Sequence, residues 1–385
     1  MSDLHFTSLA AQFPWATLML AGAMATGAIL ALSPVARLVG WVDKPGLHKA
    51  HEGEVPLIGG WAVLAAMFAL QFAGPAELRA PAGYWTGALL LFIVALLDDR
   101  WPVRARYRFM VQIVAAVAGI SLGGQVLLDV GNLFGEGPVS SWWIVLPVSI
   151  VGIVALVNAV NFMDGADGLC GGLGFIGAFW FLFAVSMAEG PMDVPGSGRT
   201  AYAASLIPLA ATMMGALGGF LLFNLRTPVR RKAAVFLGDS GSMLVGFTLA
   251  WLAIHSTMAH GEASVSPVAC LWIMAVPMFD SASCIIRRIL SGVTPMTADR
   301  KHLHDLLRRA GFSVAESVFV VHVGAFVCGL IGVMGWRLGV SDSTGFAAFA
   351  LTLGTFVVLT NLAWRQIDRR ETPIGVAETS TNDGG

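Results

Sequence analysis

Long apolar runs alternate with short polar connections from residue 14 to residue 364. The runs approach the roughly 20 apolar residues that a helix needs to cross a bilayer, so the pattern predicts an all-α integral membrane protein. Two runs are less regular, because the fourth begins among arginines and the sixth begins among glycines. We predict eleven membrane-spanning helices, at residues 14–39, 57–75, 82–97, 107–124, 142–160, 169–188, 202–223, 236–255, 264–286, 314–336 and 344–364.

The composition agrees with a polytopic membrane protein. Hydrophobic residues make up 56% of the 385 residues and charged residues 12%, whereas a soluble domain carries about 25% charged residues. The longest polar insertion, residues 287–313, is too short to enclose a core of its own. We therefore expect a single membrane domain over residues 1–370, followed by a polar tail at residues 371–385 that is predicted to be disordered.

Basic residues are concentrated in one set of connections. With eleven spans, all but three of the 23 Lys and Arg residues fall on one side of the membrane, the exceptions being Arg79, Arg199 and Arg337. Positive residues prefer the cytoplasmic side, so the N-terminus is predicted outside and the C-terminus in the cytoplasm. The N-terminal residues lack the basic segment of a signal peptide, so the first span is expected to stay as an anchor. The net charge of −1 gives no indication of nucleic-acid binding.

Two carboxylates without a neighbouring positive charge lie between the fifth and sixth predicted spans. The segment Asn158–Gly172, NAVNFMDGADGLCGG, contains Asp164 and Asp167 and no Lys or Arg. An ionised residue at a membrane helix end is costly unless it faces water, a cation or a partner, which favours a functional role. Simple capping of the following helix is the alternative, because Asp and Asn cap helix N-termini.

A second acidic pair, Asp98 and Asp99, lies at the predicted cytoplasmic end of the third span. This end is the helix C-terminus, where the helix dipole is already negative, so two adjacent carboxylates there need compensation. We favour a bound metal or a catalytic role for this pair. The alternative is a surface acid pair that is neutralised by Arg100 and Arg104.

Further acids lie at the same predicted face. Asp239 lies in the segment FLGDSG at the N-terminus of the eighth span, where backbone N–H groups suit an anion and a carboxylate suits a metal. Capping explains this segment equally well. Asp43 and Asp299 also fall at predicted cytoplasmic helix ends, whereas the acids of the outer connections lack the same Gly, Asn and His context.

The longest connection is basic and contains His302 and His304. Histidines two positions apart do not share a helical face, so a paired metal site on a helix is not expected. A loop that grips phosphates is the preferred interpretation, although ordinary positive-inside charge explains Arg308 and Arg309 equally well. The four cysteines lie in or beside apolar runs, and their spacing fits neither a zinc site nor a disulfide framework.

Carboxylates, arginines and a helix N-terminus at one face together indicate Mg²⁺-assisted chemistry on a phosphorylated substrate. Magnesium binds through one or two carboxylates together with substrate phosphates, and it polarises a phosphoryl oxygen. An ion-coupled transporter is the rival from another functional class. Transporters place ionisable residues near the middle of the membrane on broken helices, often in repeats, and no repeat is visible in this sequence.

The segments that carry these residues resemble the polyprenyl-phosphate N-acetylhexosamine-1-phosphate transferase family over residues 14–364. Within it, the chain is most similar to the undecaprenyl-phosphate N-acetylglucosaminyl 1-phosphate transferases. The resemblance implies a multi-pass protein of the bacterial inner membrane, with eleven spans and a cytoplasmic active site. It also implies transfer of N-acetylglucosamine 1-phosphate from UDP-N-acetylglucosamine to undecaprenyl phosphate, with release of UMP. The matching segments are DKPGLHKAHEGEVPLIGG, LLDDR, NAVNFMDGADGL, FLGDSGS, SPVACLWIMAVPMFD and DRKHLHDLLRRAGFS.

The resemblance further implies roles for individual residues and a Mg²⁺ cofactor, with Mn²⁺ as an alternative. UDP-N-acetylglucosamine, undecaprenyl phosphate and membrane lipid are the expected partners, and a homodimer is compatible with the sequence. The expected catalytic residues are Asp98, Asp99, Asp164 and Asp167, and the expected metal ligands are Asp239 and Asp99. The expected substrate-binding residues are Asp43, Lys49, Asn161, Arg288, Asp299, Arg300, His302 and His304.

Three positions depart from the family's pattern. Pro102 stands where the aspartate motif often ends in a further acid, His48 stands where Arg is usual, and Asp305 stands where a further His is common. The last change leaves the role of position 305 open. The sugar rests on the resemblance, so a transferase of the UDP-MurNAc-pentapeptide type stays open, as does the polysaccharide, such as O-antigen, that the product would supply.

The chemistry of the lipid phosphate favours one of two mechanisms, direct attack on the donor or a covalent enzyme intermediate. A phosphate monoester has a second pKa near about 6, so much of the lipid phosphate is a dianion at neutral pH and needs no strong base. We expect direct in-line attack on the β-phosphorus, with Asp98 accepting any remaining proton. A covalent aspartyl-phosphate intermediate is the alternative.

Overall fold

The computed structural model describes residues 14–43, 53–74, 79–123, 127, 129–188, 201–257, 264–294 and 301–371. Most of the described residues are helical. The helices are α1 Trp15–Leu38, α2 Gly59–Ala73, α3 Ala82–Arg100, α4 Ala105–Gly123, α5 Trp142–Phe162, α6 Leu169–Ala188, α7 Ala201–Asn224, α8 Gly238–Ser256, α9 Pro267–Ile273, α10 Ala275–Leu290, α11 Leu303–Arg309, α12 Val314–Arg337 and α13 Asp342–Glu371. The two strands are β1 Val42–Asp43 and β2 Val55–Pro56.

The hydrophobic pattern located the long helices correctly. Among the described residues, eight helices are long and apolar enough to cross a membrane, namely α1, α3, α4, α5, α6, α7, α12 and α13. The chain is therefore an all-α, multi-pass membrane protein, as predicted. Helix α13 continues to Glu371, and the rest of the predicted tail lies outside the described residues.

One predicted span, residues 264–286, is not a single helix. It consists of α9 and α10, whose axes differ by 74° across a break at Met274. Pro277 explains the break, because it has no N–H to bond the Ile273 carbonyl and its ring crowds that carbonyl. In the first turn of α10 the same proline costs nothing, since no intrahelical partner is required there.

Helices α2 and α8 are less typical of a membrane span. Helix α2 has 15 residues, which at about 1.5 Å per residue covers less than the roughly 30 Å hydrocarbon core. Helix α8 carries polar residues, but nearly all of its side chains are buried. It packs against α2, α3, α5 and α6, so it forms the centre of the bundle rather than a lipid-facing element.

A short antiparallel hairpin, absent from the predicted all-helical fold, joins α1 to α2. Val42 lies opposite Pro56, and Asp43 lies opposite Val55. The hairpin is tied to the segment before α8, since the Phe236 N–H donates to the Pro56 carbonyl at 3.0 Å. Gly60 then lies against Gly241, where an added Cβ would come within 2.5 Å of the Gly241 nitrogen. The N-termini of α2 and α8 are therefore held together at one end of the bundle.

Candidate functional site

The predicted acids gather at one end of the bundle, where the α3–α4, α5–α6 and α7–α8 connections meet; we call it the site end. Asp99, at the last turn of α3, caps the N-terminus of α8. Its Oδ1 accepts from the Asp239 N–H at 2.7 Å, and its Oδ2 accepts from the Ser240 N–H at 3.2 Å and the Ser240 hydroxyl at 2.8 Å. Backbone donors and the helix dipole both favour a negative charge at this position. The anion expected at the N-terminus of α8 is thus supplied by the chain itself.

Arg108, in the first turn of α4, neutralises the acid beside Asp99. Its Nη1 donates to Asp98 Oδ2 in a very short contact and approaches Asp239 Oδ2 at 3.3 Å. The second Asp98 oxygen accepts from the Val103 N–H at 2.7 Å. Asp98 is therefore buried and fully hydrogen-bonded, with its side chain only 7% exposed.

Asn161 fixes the orientation of the Asp239 carboxylate. Its amide nitrogen donates to Asp239 Oδ1 at 3.0 Å and to the Ser242 hydroxyl at 2.8 Å, while its oxygen accepts from Arg108 at 3.2 Å. The Asp239 side chain remains 35% exposed. Of the carboxylates at this point, Asp239 is the one that is both oriented and open to a ligand.

Asp164 lies in the turn between α5 and α6 and completes the acidic cluster. Among the described residues, no group donates a hydrogen bond to its carboxylate. Burial raises the pKa of Asp164 well above its usual range, and the negative charges of Asp239, Asp99 and Asp167 raise it further. A half-buried carboxylate with acidic neighbours and no donor is a position that a cation would stabilise.

The donor set of the site end suits Mg²⁺. Asp164 has no described donor, and Asp239 has one donor at each oxygen but stays 35% exposed, so these two offer hard oxygen ligands in the number that Mg²⁺ uses. Asp98 and Asp99 are held by internal donors instead. The residues present therefore fit the ion that the resemblance implies, and Asp239 and Asp164 are the carboxylates of the cluster that are most open to it.

Asp167 has a different environment from Asp164. Its Oδ2 accepts from Arg226 Nε at 2.7 Å and from the Ala233 N–H at 3.2 Å. Asn224 links the same two segments, because it accepts from the Gly168 N–H at 2.7 Å and donates to the Val235 carbonyl at 2.8 Å. Asp167 thus joins the α5–α6 turn to the α7–α8 connection.

A cavity of about 340 Å³ opens beside Asp167. Phe236 contributes the aromatic part of its wall, three positions before Asp239, and Arg226 contributes a positive charge. The other lining residues are Arg37, Glu54, Val55, Arg231, Lys232, Ala233 and Ala234. The cavity therefore adjoins the acidic cluster along both the α5–α6 and the α7–α8 connections.

The two histidines of the basic connection lie at the start of α11, on the other side of the α5–α6 turn. His302 and His304 have nearly parallel rings, with centroids 5.9 Å apart. His304 is 4% exposed and lies against Gly165, where an added Cβ would fall 2.5 Å from its Nε2. Burial lowers the pKa of His304. The predicted pair therefore borders the acidic cluster through the residue next to Asp164.

His302 forms an ion pair with Asp280 of α10. Its Nδ1 lies 2.6 Å from Asp280 Oδ2. Burial opposes the charged imidazole, but the hydrogen bond and the charge of Asp280 outweigh it and raise the pKa of His302 to about 10. Asp305, at the position that departs from the family's pattern, accepts weakly from the His302 N–H at 3.4 Å and so caps α11.

The remaining predicted residues are placed less centrally or lie outside the described residues. Asp43 lies on β1 and is half-buried, and Arg288 is 5% exposed at the end of α10. Pro102 lies in the turn between α3 and α4. Lys49, Asp299 and Arg300, together with the variant position His48, fall outside the part of the chain that the structure describes.

Sequence reasoning missed Arg108, Asp280 and the hydroxyls of Ser240 and Ser242. Arg108 is one of several arginines in its connection, and its contacts with Asp98, Asp239 and Asn161 distinguish it. Asp280 lies in a segment that matches the family, which is a signal, but nothing in the sequence pairs it with His302. The serines follow Asp239 directly, so the FLGDSGS segment did contain them.

Gly238 makes the capping of α8 possible and provides a test of it. Its φ is +77°, and an added Cβ would lie 2.9 Å from Asp99 Oδ2. We expect Gly238→Ala to lower the thermal midpoint and to reduce activity by up to about a hundredfold, because the Asp99 carboxylate must move. Gly339 has the same φ and nothing within 4 Å, so Gly339→Ala measures the backbone strain of roughly 1–2 kcal/mol alone. Equal effects of the two changes would contradict a role for the Asp99 cap.

A family model and several known proteins match this chain, and they point to the same family. Residues 81–257 match the sequence profile of glycosyl transferase family 4, a range that includes Asp98, Asp99, Asp164, Asp167 and Asp239. An undecaprenyl-phosphate alpha-N-acetylglucosaminyl 1-phosphate transferase of Haemophilus influenzae is 33% identical over 337 residues, which is 88% of this chain and 91% of the relative. The protein of the same name from Pasteurella multocida is 33% identical over 88% and 90% of the two chains. That of Escherichia coli K12 is 33% identical over 78% of each.

Proposed function

The chain belongs to glycosyl transferase family 4, and on that premise we propose that it transfers N-acetylglucosamine 1-phosphate from UDP-N-acetylglucosamine to undecaprenyl phosphate. The products are undecaprenyl-pyrophosphoryl-N-acetylglucosamine and UMP. The observation that carries the proposal is the cluster of Asp98, Asp99, Asp164 and Asp239 at three helix ends, with Arg108 among them. The relatives that bear this activity in their names extend over most of the chain, which supports the same chemistry.

We propose an eleven-span topology in a bacterial inner membrane, with the site end in the cytoplasm. The proposal counts the eight long apolar helices, the bent pair α9–α10, the short helix α2 and the central helix α8 as one crossing each. Since basic residues prefer the cytoplasmic side, the arginines of the α3–α4 and α7–α8 connections support this orientation. It places the site where the nucleotide sugar is made and the lipid phosphate is anchored.

We propose that Mg²⁺ is the cofactor, with Mn²⁺ able to replace it, and that Asp239 and Asp164 hold it. When bound, the ion would neutralise the pyrophosphate and polarise a phosphoryl oxygen. Asp99 acts by fixing the first turn of α8, on which Asp239 lies. Asn161 and Arg108 set the orientation of the Asp239 carboxylate.

The environment of Asp98 supports direct attack by the lipid phosphate. A nucleophilic carboxylate needs a free oxygen with access to the phosphorus, whereas both Asp98 oxygens accept internal hydrogen bonds and the side chain is almost buried. Incubation with the nucleotide sugar alone should leave Asp98 unmodified. A phosphorylated Asp98 in a mass spectrum would establish the covalent route instead.

The cavity beside Asp167 supports binding of the nucleotide part of the donor. Its volume of about 340 Å³ suits a nucleoside monophosphate, Phe236 can pack against a base, and Asp167 can accept from its N–H. Arg226 and its basic neighbours offer charge to the phosphates. Asp167 then binds substrate and braces two connections, rather than taking part in the chemical step.

This division of roles between the two acids of the α5–α6 turn is testable. Asp164→Asn should lower kcat by about a hundredfold or more, because a metal ligand loses its charge. Asp167→Asn should mainly raise KM for the nucleotide sugar and lower the thermal midpoint, since it weakens the bond to Arg226. Steady-state kinetics on both purified variants measure the split. A larger kcat loss for Asp167→Asn would reverse the assignment.

The alternatives differ in substrate or class. A UDP-MurNAc-pentapeptide donor carries the same nucleotide, so the competition assay below distinguishes it, and an ion-coupled transporter would not need four carboxylates at helix ends on one face. The product would begin a lipid-linked cell-surface polysaccharide such as O-antigen. A homodimer remains part of the proposal, because the peripheral helices α1 and α13 expose apolar faces to lipid or to a second copy.

The decisive assay is release of UMP from UDP-N-acetylglucosamine by the purified protein. We expect release only when undecaprenyl phosphate and Mg²⁺ are both present, and a lipid product that carries the sugar phosphate. Other UDP-sugars and the MurNAc-pentapeptide donor serve as competitors in the same assay. Release without the lipid, or a preference for another donor, would overturn the assignment of the reaction or of the sugar.

A further inference from the structure

The pairing of Asp280 with His302 has a consequence for substrate binding that rests on the proposed function. We propose that Asp280 is a positioning residue, which holds His302 as an imidazolium whose Nε2–H is presented to the pyrophosphate of the nucleotide sugar. Asp280 belongs to α10 and is 2% exposed, so it has no direct access to substrate itself. It acts through the histidine.

Asp280 fixes both the side chain and the backbone at the start of α11. Its Oδ2 lies 2.6 Å from His302 Nδ1, and its Oδ1 accepts from the Leu303 N–H at 2.6 Å. The Leu303 bond fixes the Asp280 carboxylate through its other oxygen, so the imidazole cannot rotate without losing its bond to Oδ2. Because Nδ1 is occupied by Asp280, Nε2 is the ring nitrogen left for a ligand.

The faces of the His302 ring are also held in place. The Phe162 ring, at the end of α5, lies 5.7 Å away by centroids, and the parallel His304 ring lies 5.9 Å away. Phe162 precedes Asp164 by two positions, and His304 lies against Gly165. The imidazole is therefore fixed at the wall of the turn that carries Asp164, beside the acidic cluster.

A metal ion is the other interpretation of this group, since Asp280, Cys284 and His302 are buried with ligand atoms within 4.8 Å of one another. Two observations oppose it. Arg287 Nη2 lies 3.3 Å from Cys284 Sγ and donates to the Lys301 carbonyl at 2.6 Å, so a positive charge already occupies the thiol side. The distance of 2.6 Å between Asp280 and His302 is a hydrogen bond, which leaves no space for an ion between them.

A fixed imidazolium suits the pyrophosphate of the donor. Charge-assisted hydrogen bonds to phosphate are about twice as strong as neutral ones, and a held ring loses no rotational freedom on binding. Among the described residues, the titratable groups that face His302 are Asp280 and Cys284 from α10 and His304 and Asp305 from α11. Only Asp280 among them makes a short bond to the ring, so it dominates the charge state of His302.

The test replaces Asp280 with Asn in the full-length protein. We expect kcat/KM for UDP-N-acetylglucosamine to fall about 10- to 100-fold, which is typical for loss of a group that orients a ligand. Without the carboxylate, the imidazole loses its proton within the ordinary range of histidine, so the ratio of variant to wild-type activity should fall further as the pH rises from about 6 to about 9. A ratio independent of pH would overturn the charge-holding role.

Two controls separate positioning from damage to the fold. Cys284→Ser changes the other side chain at His302 Nδ1, one turn away on α10, without altering charge, and it should leave kcat/KM and the pH profile near wild type. In a His302→Asn background, Asp280→Asn should have no further effect on KM, because Asp280 acts through the ring that has been removed. Additive effects in this double-mutant cycle would overturn the proposal.

A spectroscopic measurement keeps the inference independent of activity. In protein with isotope-labelled histidine, the His302 signals are identified by their loss in His302→Asn. Both ring nitrogens of His302 should carry protons at about pH 8 in the unliganded wild-type protein. A neutral His302 would overturn the inference even in an active enzyme. A charged His302 in a protein that releases no UMP would support the pairing and reject the proposed reaction.

Discussion

Asp239→Asn is expected to abolish Mg²⁺-dependent release of UMP while the protein still inserts and folds. The carboxylate is oriented by Asn161 and partly exposed, so it is the strongest candidate ligand at the site end. A bound ion contributes several kcal/mol to a phosphoryl transfer, which corresponds to a loss of at least about a hundredfold. UMP release should be measured across a series of Mg²⁺ concentrations, because loss of a ligand also shifts the concentration that is needed.

A matched control is available on another helix. Glu316 is an exposed acid in the first turn of α12, as Asp239 is in the first turn of α8, but among the described residues its bond partner is Ser313. Glu316→Gln should therefore leave the rate and its Mg²⁺ dependence unchanged. A wild-type rate in Asp239→Asn with an unchanged Mg²⁺ requirement would remove Asp239 as the principal ligand.

The second large effect is expected for Asp99→Asn, through the position of α8. An amide at residue 99 keeps one acceptor oxygen but turns an NH₂ group toward backbone N–H donors that now bond a carboxylate. Loss of such a cap costs roughly 0.5–2 kcal/mol of stability. The first turn of α8 carries Asp239, so a small displacement there should lower the rate by about a hundredfold.

The variant Ser240→Ala weakens the Asp99 cap without changing the Asp99 carboxylate. It removes the hydroxyl bond to Asp99 Oδ2 and leaves both backbone bonds, so the rate should fall much less than in Asp99→Asn. Thermal unfolding and the rate should be measured on the same preparations. A wild-type rate for Asp99→Asn with a lowered midpoint would make Asp99 purely structural.

The sequence located the chemical groups better than it assigned their roles. Asp98, Asp99, Asp164 and Asp239 were all predicted for one site, and the structure brings them to one end of the bundle. Their charge and their position at span ends were enough for that inference. Asp167 was grouped with them because it lies three positions from Asp164, yet it pairs with Arg226.

The roles depend on partners that are distant in the chain. Asp99 meets Ser240 across 141 positions, and Asn161 meets Asp239 across 78. Neither spacing follows from a helical period, because the connection between the helices determines which ends come together. The same reason explains why Asp280 was not paired with His302 from the sequence.

The sequence by itself determined that this protein crosses a membrane with many helices and concentrates its acids and bases at one face. Both properties are local, since the length of an apolar run and the position of a charge at its end can be read from neighbouring residues. Only the tertiary structure decided which carboxylates are satisfied by internal donors and which stay open. Asp98 and Asp99 are held by Arg108 and the first turn of α8, whereas Asp164 has no described donor. A carboxylate can bind a cation when it stays accessible and protein donors leave some of its lone pairs free, and both conditions depend on contacts between helices.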